Sequence, residues 1–432
     1  MDTNPFNSAL QRVSRAASRA AEKIHRFEGL EKLSSRETLR DLAERGLKGR
    51  KLVLASNREP YVHEWKGEET NWFRAAGGLT IALDSMAAAC DASWVCHGSG
   101  NADFAVTDAH GRIRVPPNRP SYTLRRLPLT REEEQGYYDG FSNAALWPLC
   151  HVCFIRPKFI LSDWQSYQAV NAKFAQAVAD EAPPSSVVFL QDYHLALVGK
   201  MLKEIRPDLT SVLFWHIPWP NPEIFRVCPY KRELLEGLLG NDILGFHLRY
   251  HADNFMETVG LELESQLDWD RLQVQRGTSR TRVRSYPISV DFESIYRQAE
   301  SAEVDEACAD RKLEHHLKGL KVGLGVDRLD YTKGIPERLD ALGRFFDLHP
   351  EWLGRFTYVQ IGVPSRTHLE DYQNVVSDIE RRCENLNARL AQGRWKPVIL
   401  LLGHQNFDTL IPYYKLADVC MVSSLHDGMN LV

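Results

Sequence analysis

An alternation of short apolar runs with helix-forming stretches constrains this chain more than any other feature, because it admits few folds besides parallel α/β sheets. The runs occupy residues 51–56, 93–97, 187–191, 211–216, 242–247, 321–326, 356–361, 398–402 and 418–423, and read as strands buried on both faces. Between them, segments such as 163–180, 233–239, 336–348 and 369–390 carry helical periodicity and helix-forming composition. At 432 residues the chain exceeds one ordinary core. The pattern weakens into a polar stretch at 264–284, followed by a short crossover at Tyr286-Pro287-Ile288-Ser289-Val290-Asp291. These breaks predict a helical extension at 1–48 and two doubly wound, Rossmann-like domains at 49–290 and 291–432.

Apolar residues make up 44% of the chain and the net charge is −4, which gives no reason to expect nucleic acid or an anionic membrane as the main partner. Residues 10–27 still set Arg12, Arg15, Arg19, Lys23 and Arg26 opposite Leu10, Val13, Ala17, Ile24 and Phe27. Such a basic stripe either meets an anionic surface or is a solvated helix face, and the second reading is favoured. No apolar run approaches the length of a membrane span, and no apolar N-terminal core marks a signal peptide. Eight cysteines are scattered without the spacing of a disulfide scaffold, so a soluble protein of the reducing cytoplasm is expected. Cys150-His151-Val152-Cys153 has no second pair at zinc-binding spacing, and core cysteines are expected there rather than a metal.

Ligands of doubly wound sheets sit beyond the carboxyl ends of the strands, and the polar motifs fall there. Arg328 and Lys333 stand five residues apart in Val326-Asp327-Arg328-Leu329-Asp330-Tyr331-Thr332-Lys333-Gly334. They are either surface ion pairs beside a turn or a clamp on a diphosphate, Arg328 offering a planar fork and Lys333 a mobile point charge. A strand-to-helix turn with cations at this spacing favours the clamp. Asp427-Gly428-Met429-Asn430-Leu431-Val432 places a carboxylate before a glycine turn that is expected to open a helix, with the Gly428 and Met429 N–H groups facing an anion. Ser56-Asn57-Arg58, Gln191-Asp192-Tyr193-His194 and Trp215-His216-Ile217-Pro218-Trp219-Pro220 end other strands, and Gly77-Gly78 opens a helix. Tyr138 and Trp147 flank Asn143; their rings suit either the C–H face of a sugar or the core. Asp268-Trp269-Asp270 resembles a metal-binding Asp-x-Asp but lies in the polar stretch, away from any expected strand end, so no metal is assigned to it. P-loop and dinucleotide-binding glycine motifs are absent from the sequence.

Taken in order from Lys51 to Val432, these motifs resemble those of the trehalose-6-phosphate synthases, retaining glycosyltransferases of the two-domain GT-B type. The resemblance rests on Ser56-Asn57-Arg58, Ala76-Gly77-Gly78-Leu79, Tyr137-Tyr138, Phe141-Ser142-Asn143, Leu146-Trp147-Pro148, Asp192-Tyr193-His194, His216-Ile217-Pro218, Pro222-Glu223-Ile224-Phe225, the segment Arg328 to Gly334, Ser365-Arg366 and the segment Asp427 to Val432. It implies an α/β GT-B fold whose two parallel sheets face an interdomain cleft. It also implies that UDP-glucose, or another nucleoside diphosphate glucose, binds in the C-terminal domain and glucose 6-phosphate in the N-terminal one.

Residue by residue, the resemblance assigns Arg328 and Lys333 to the donor diphosphate and Gly77 and Gly78 to a loop closing over it. Phe407, Leu431 and Val432 would contact the nucleotide within a donor segment that includes Gly428, Met429 and Asn430, and Asp427 and His216 would orient the donor glucose. Arg58 and Arg366 would hold the acceptor phosphate, with Tyr138, Trp147 and Asp192 around its ring and hydroxyls. No cofactor and no required metal are implied; the partners are the two small substrates, with no nucleic acid, no membrane and room for a homo-oligomer. Relatives continue beyond the Leu-Val pair with a ribose-binding glutamate and further helices, so the chain is expected to be C-terminally truncated and its second domain incomplete. Two alternatives stay open: a glucosylglycerol-phosphate synthase taking glycerol 3-phosphate, and a non-catalytic sugar-phosphate-binding module.

Overall fold

The computed structural model describes residues 36–75, 78–366, 368–403 and 407–432. The chain forms two compact units, Met1–Gly49 and Arg50–Val432. Of the first, the helix Arg36–Leu47 is described; the basic stripe at 10–27 lies outside the described residues, as does Gly77.

The second unit begins with β1 (Leu52–Ser56), a strand buried along its whole length. A hairpin of β2 (Tyr61–Lys66), buried over its first half, and the exposed β3 (Glu69–Arg74) precedes β4 (Ser93–His97), β5 (Arg112–Val115) and β6 (Tyr122–Leu127). Then follow β7 (Val187–Gln191), β8 (Thr210–Trp215), β9 (Ile243–Phe246), β10 (Gln266–Asp268), β11 (Gln273–Arg276) and β12 (Ser279–Ser285). They form one sheet in the order β10-β11-β12-β9-β8-β7-β1-β4-β6-β5. The seven strands from β12 to β6 run parallel, with antiparallel strands at both flanks. From β1 the chain builds outward through β4 and β6, then returns to the other side of β1 with β7, so the order reverses between β1 and β7. Residues following those two strands therefore flank the crevice in which doubly wound sheets bind ligands.

A second parallel sheet contains β13 (Lys321–Arg328), β14 (Phe356–Val363), β15 (Val398–Leu402) and β16 (Val419–Cys420), in the order β15-β14-β13-β16. Its order reverses between β13 and β16, which again sets the motif after β13 beside the one after β16. The strand alternates strictly. Val322, Leu324 and Val326 pack on Val359, Ile361 and Tyr413, whereas Gly323, Gly325 and Asp327 face the other side. There Arg338 is fully buried, ion-paired to Asp327 at 2.6 Å and bonded to Tyr358 Oη and Gln360 Oε1 at 3.0 Å each. A Cβ on Gly325 would overlap the Tyr358 hydroxyl and the guanidinium, so glycine makes room for this charge.

Several elements depart from the sequence reading. The polar stretch at 264–284, where the alternation weakens, forms the antiparallel meander β10–β12; its strands bury one face only, so their outward positions are polar and the continuous apolar run of a parallel strand never appears. Asp268 ends β10 and its carboxylate accepts the Arg271 N–H at 2.9 Å, a turn rather than a strand end facing ligand. The run at 418–423 pairs only over Val419–Cys420. The helices expected at 163–180, 233–239, 336–348 and 369–390 are Leu161–Glu181, Lys231–Leu238, Ile335–Leu348 and Glu370–Leu390. All eight cysteines are free thiols, with Cys150 buried and Cys153 half-buried, and no described helix is long and apolar enough to cross a membrane.

Candidate active site

At the second sheet's switch point, β13 ends on Arg328 and the chain turns through Tyr331–Lys333 into the helix Ile335–Leu348. Asp330 opens the turn by accepting the Thr332 N–H at 3.0 Å. Gly334 has φ +61°, and a Cβ there would overlap the Ser423 carbonyl, so conformation and packing both require glycine. The turn aims Lys333 at Asp427, and the two make a short, largely shielded ion pair. Burial alone would raise the Asp427 carboxyl; the Lys333 ammonium outweighs it and holds it below the usual range. Arg328 remains exposed, its guanidinium 5.5 Å over the Trp147 ring, and among the described residues no carboxylate pairs with it.

Residues 428–432 do not form the expected helix. The Gly428 N–H is taken by the Asp427 carboxylate at 2.9 Å instead of standing free for an anion. Asn430 binds Ser424 Oγ at 3.2 Å and accepts the Val432 N–H at 2.8 Å. Met429 and Leu431 are half-buried and Val432 is exposed. Gly428 itself lies against the His216 carbonyl so closely that any Cβ would overlap it, which joins the end of the second sheet to the end of β8. Phe407 is exposed at the start of the helix Phe407–Leu416. Gly78 opens the helix Gly78–Cys90.

On the first sheet, the Ser56 hydroxyl donates to the Arg58 carbonyl at 2.7 Å, fixing the turn after β1. Arg58 is exposed and donates to Tyr138 Oη at 2.8 Å. Tyr138 lies on a π-helical stretch, Gln135–Leu146, an element that the helical period in the sequence does not reveal and that recurs at functional sites. Its ring stacks on His194 at 5.5 Å. Burial opposes ionisation of its phenol, but Arg58 and Arg366 outweigh that and bring it down to about 8.

Arg366 crosses between the sheets. It follows β14 with φ +50°, lies 4.2 Å over the Trp147 ring, and bonds the Tyr372 hydroxyl, Asp330 Oδ2 at 3.3 Å and Tyr193 Oη at 3.4 Å. Trp147, 5% exposed, thus carries two guanidiniums on one indole and is at once core and site. Of the residues that hold Arg366, Tyr193 and Asp330 stand within motifs but carry no sign of this role, and Tyr372 lies outside every motif; only the fold assembles them.

Asp192 follows β7 with φ +70°, a conformation that costs a non-glycine residue about 1–3 kcal/mol and persists where its surroundings demand it. Its carboxylate accepts the Tyr193 and His216 N–H groups at 2.9 and 3.0 Å. Burial dominates and pushes the carboxyl up to about 7. With the folded value above that of an exposed carboxylate, the stabilising contribution is complete below about pH 4 and is lost as pH rises through 7. Asp192→Asn should therefore flatten the decline in melting temperature between about pH 5 and 8, read by scanning calorimetry. An unchanged slope would mean that this carboxyl ionises normally.

His216 is held by both ring nitrogens. The Ile288 N–H donates to His247 Nδ1 at 3.3 Å, which leaves His247 Nε2–H to donate to His216 Nδ1 at 3.2 Å and His216 Nε2–H to Gln191 Oε1 at 2.9 Å. Burial, reinforced by His247, depresses the imidazole to about 3, so it is neutral at physiological pH.

Two doubly wound parallel sheets whose carboxyl ends meet around paired cations and a shielded carboxylate define a GT-B glycosyltransferase. The model of glycosyltransferase family 20 matches residues 50–432, and the chain belongs to that family. A bifunctional trehalose-6-phosphate synthase/phosphatase of Thermoproteus tenax is 35% identical over 88% of this chain, which spans about half (52%) of that relative's length. The alpha,alpha-trehalose-phosphate synthase [UDP-forming] of Botryotinia fuckeliana is 34% identical over 88% of this chain and 72% of its own. Among solved structures, the UDP-forming alpha,alpha-trehalose-phosphate synthase of Burkholderia xenovorans in complex with glucose-6-phosphate matches with TM-score 0.78 and 27% identity, over 88% of this chain and 80% of that one.

Proposed function

We propose that this chain carries the transfer site of an enzyme that moves glucose from UDP-glucose, or another nucleoside diphosphate glucose, to glucose 6-phosphate with retention, forming trehalose 6-phosphate. The observation that carries this reading is the shared indole: Arg328 from the donor side and Arg366 from the acceptor side stand 5.5 and 4.2 Å over Trp147. One ring thereby brings a diphosphate clamp and a sugar-phosphate clamp close enough for their ligands to react. Arg58, which donates to Tyr138 Oη at 2.8 Å, supplies the second cation for a dianionic acceptor.

In the reaction, the bond from the glucose anomeric carbon to the diphosphate oxygen breaks. The acceptor hydroxyl bonds to the same face, and its proton passes to the departing phosphate oxygen. Arg328 and Lys333 stabilise the charge that accumulates there, while Asp427 exchanges its contact with Lys333 for donor-glucose hydroxyls. His216, neutral and held through both ring nitrogens, would reach the donor sugar by exchanging its bond to Gln191 or His247. Titratable groups need not supply a nucleophile, in contrast to double-displacement glycosidases.

The test is nucleoside diphosphate release from UDP-glucose by the full chain, with glucose 6-phosphate or glycerol 3-phosphate as acceptor. Release with glucose 6-phosphate alone is expected. Release with glycerol 3-phosphate instead would reassign the acceptor, and binding of glucose 6-phosphate by a folded protein that releases nothing would make this a non-catalytic module.

A further inference from the structure

The outer face of the β10–β12 meander concentrates positive charge in a chain of net charge −4. Along β12, Arg280, Arg282 and Arg284 alternate with the buried Thr281 and Val283 and so share the opposite face. Thr281 Oγ1 lies 2.8 Å from both the Leu239 and Asn241 carbonyls, which seats the strand firmly. The cross-strand neighbours of Arg280 and Arg282 are Gln275 and Gln273, neutral groups that cancel no charge. Successive arginines on such a face stand roughly 7 Å apart and repel one another.

Of the acids nearby, Asp270 also lines the groove, and two others pair with arginines outside the β12 row. Asp268 pairs with Arg271 at 3.4 Å and Asp253 with Arg249 at 2.7 Å; among the described residues no carboxylate pairs with Arg280, Arg282 or Arg284. Arg284 is fixed by donating to the carbonyls of Arg271, Leu272 and Val283 at 2.7, 3.0 and 2.8 Å. The surface is concave, enclosing about 750 Å³ lined by five arginines and two aspartates, a net of +3. That volume is typical of small-molecule sites. The groove lies on the β10–β12 meander and the start of the helix Arg249–Glu262, and its arginines are not those that stand over the Trp147 ring.

We propose that this groove is a second anion site, distinct from the transfer site, that binds a small ligand carrying two or more phosphates. A single phosphate satisfies one guanidinium fork; a row of forks along a strand requires negative charge spread over a longer group. The proposal is independent of the reaction assigned above.

Isothermal titration with inorganic tripolyphosphate at fixed ionic strength tests it. Expected are two bound equivalents in the wild-type chain, one at each site: Arg280→Ala/Arg282→Ala weakens one of them at least about tenfold, and Arg328→Ala weakens only the other. Arg282→Lys, which keeps the charge and loses the fork, should fall between, and it remains informative if the double variant fails to fold. No binding, or a single equivalent lost in Arg328→Ala and retained in the double variant, would overturn the assignment. Sedimentation with vesicles bearing a bisphosphorylated lipid headgroup, abolished by the same double substitution, would identify the phosphates as a membrane lipid's; tripolyphosphate binding without sedimentation identifies them as a free metabolite's.

Discussion

Replacing Arg328 by alanine should lower turnover about 10²–10³-fold, equivalent to about 3–4 kcal/mol of transition-state stabilisation, while leaving the fold intact. The guanidinium sits exposed at the end of β13 and makes no ion pair among the described residues, so its removal strips no partner of a counter-charge. Its contact is with the Trp147 face, which holds the fork where charge would develop on a leaving diphosphate. Because that charge grows as the glycosidic bond breaks, the loss should fall mainly on kcat, with KM for the donor changing less. Steady-state nucleoside diphosphate release beside a thermal melt measures both effects. Turnover within tenfold of wild type would remove Arg328 from the leaving-group role.

One residue earlier, Asp327→Ala should do the reverse, destabilising the fold by about 3–5 kcal/mol, the usual penalty for stranding one member of a buried ion pair. Arg338 has no exposed surface and Asp327 almost none, and the remaining neighbours of the guanidinium, Tyr358, Gln360 and Ser423, are neutral. Unfolding in urea, compared with the wild-type chain, reads the loss. The double variant Asp327→Ala/Arg338→Met should recover part of it, since the stranded charge is then gone. A single-variant loss under about 1 kcal/mol would show that neutral groups and solvent compensate the charge. The pair of substitutions would also separate adjacent residues of one motif into a functional and a structural member.

That separation marks where reading the sequence stops. Arg328 and Asp327 are equally polar and equally close to a strand end, and nothing in the local pattern says that one points to solvent and the other to Arg338. Asp192 was recognisable as a strand-end carboxylate, but its elevated pKa arises from burial that only the packed crevice creates. Trp147 left two readings open because stacking and core packing demand the same residue type. Trp147 is buried in the core, and Arg366 arrives over its ring from a strand far along the chain.

The meander β10–β12 and the π-helical stretch Gln135–Leu146 escaped for a related reason. A strand buried on one face lacks the continuous apolar run of its parallel neighbours, and a π-helix differs from an α-helix in hydrogen-bond register rather than composition. The anticipated helix after Gly428 is absent, and its first N–H is satisfied by Asp427 instead.

The sequence by itself determined the parallel α/β class, most strand positions and the residues gathered at the two switch points, because strand burial and strand-to-helix turns are written in local apolar period and in glycine. Only the tertiary structure decided which of those polar residues are buried, which are paired and which meet across the sheets. Those properties depend on neighbours distant in sequence, whose desolvation and charge set each group's state.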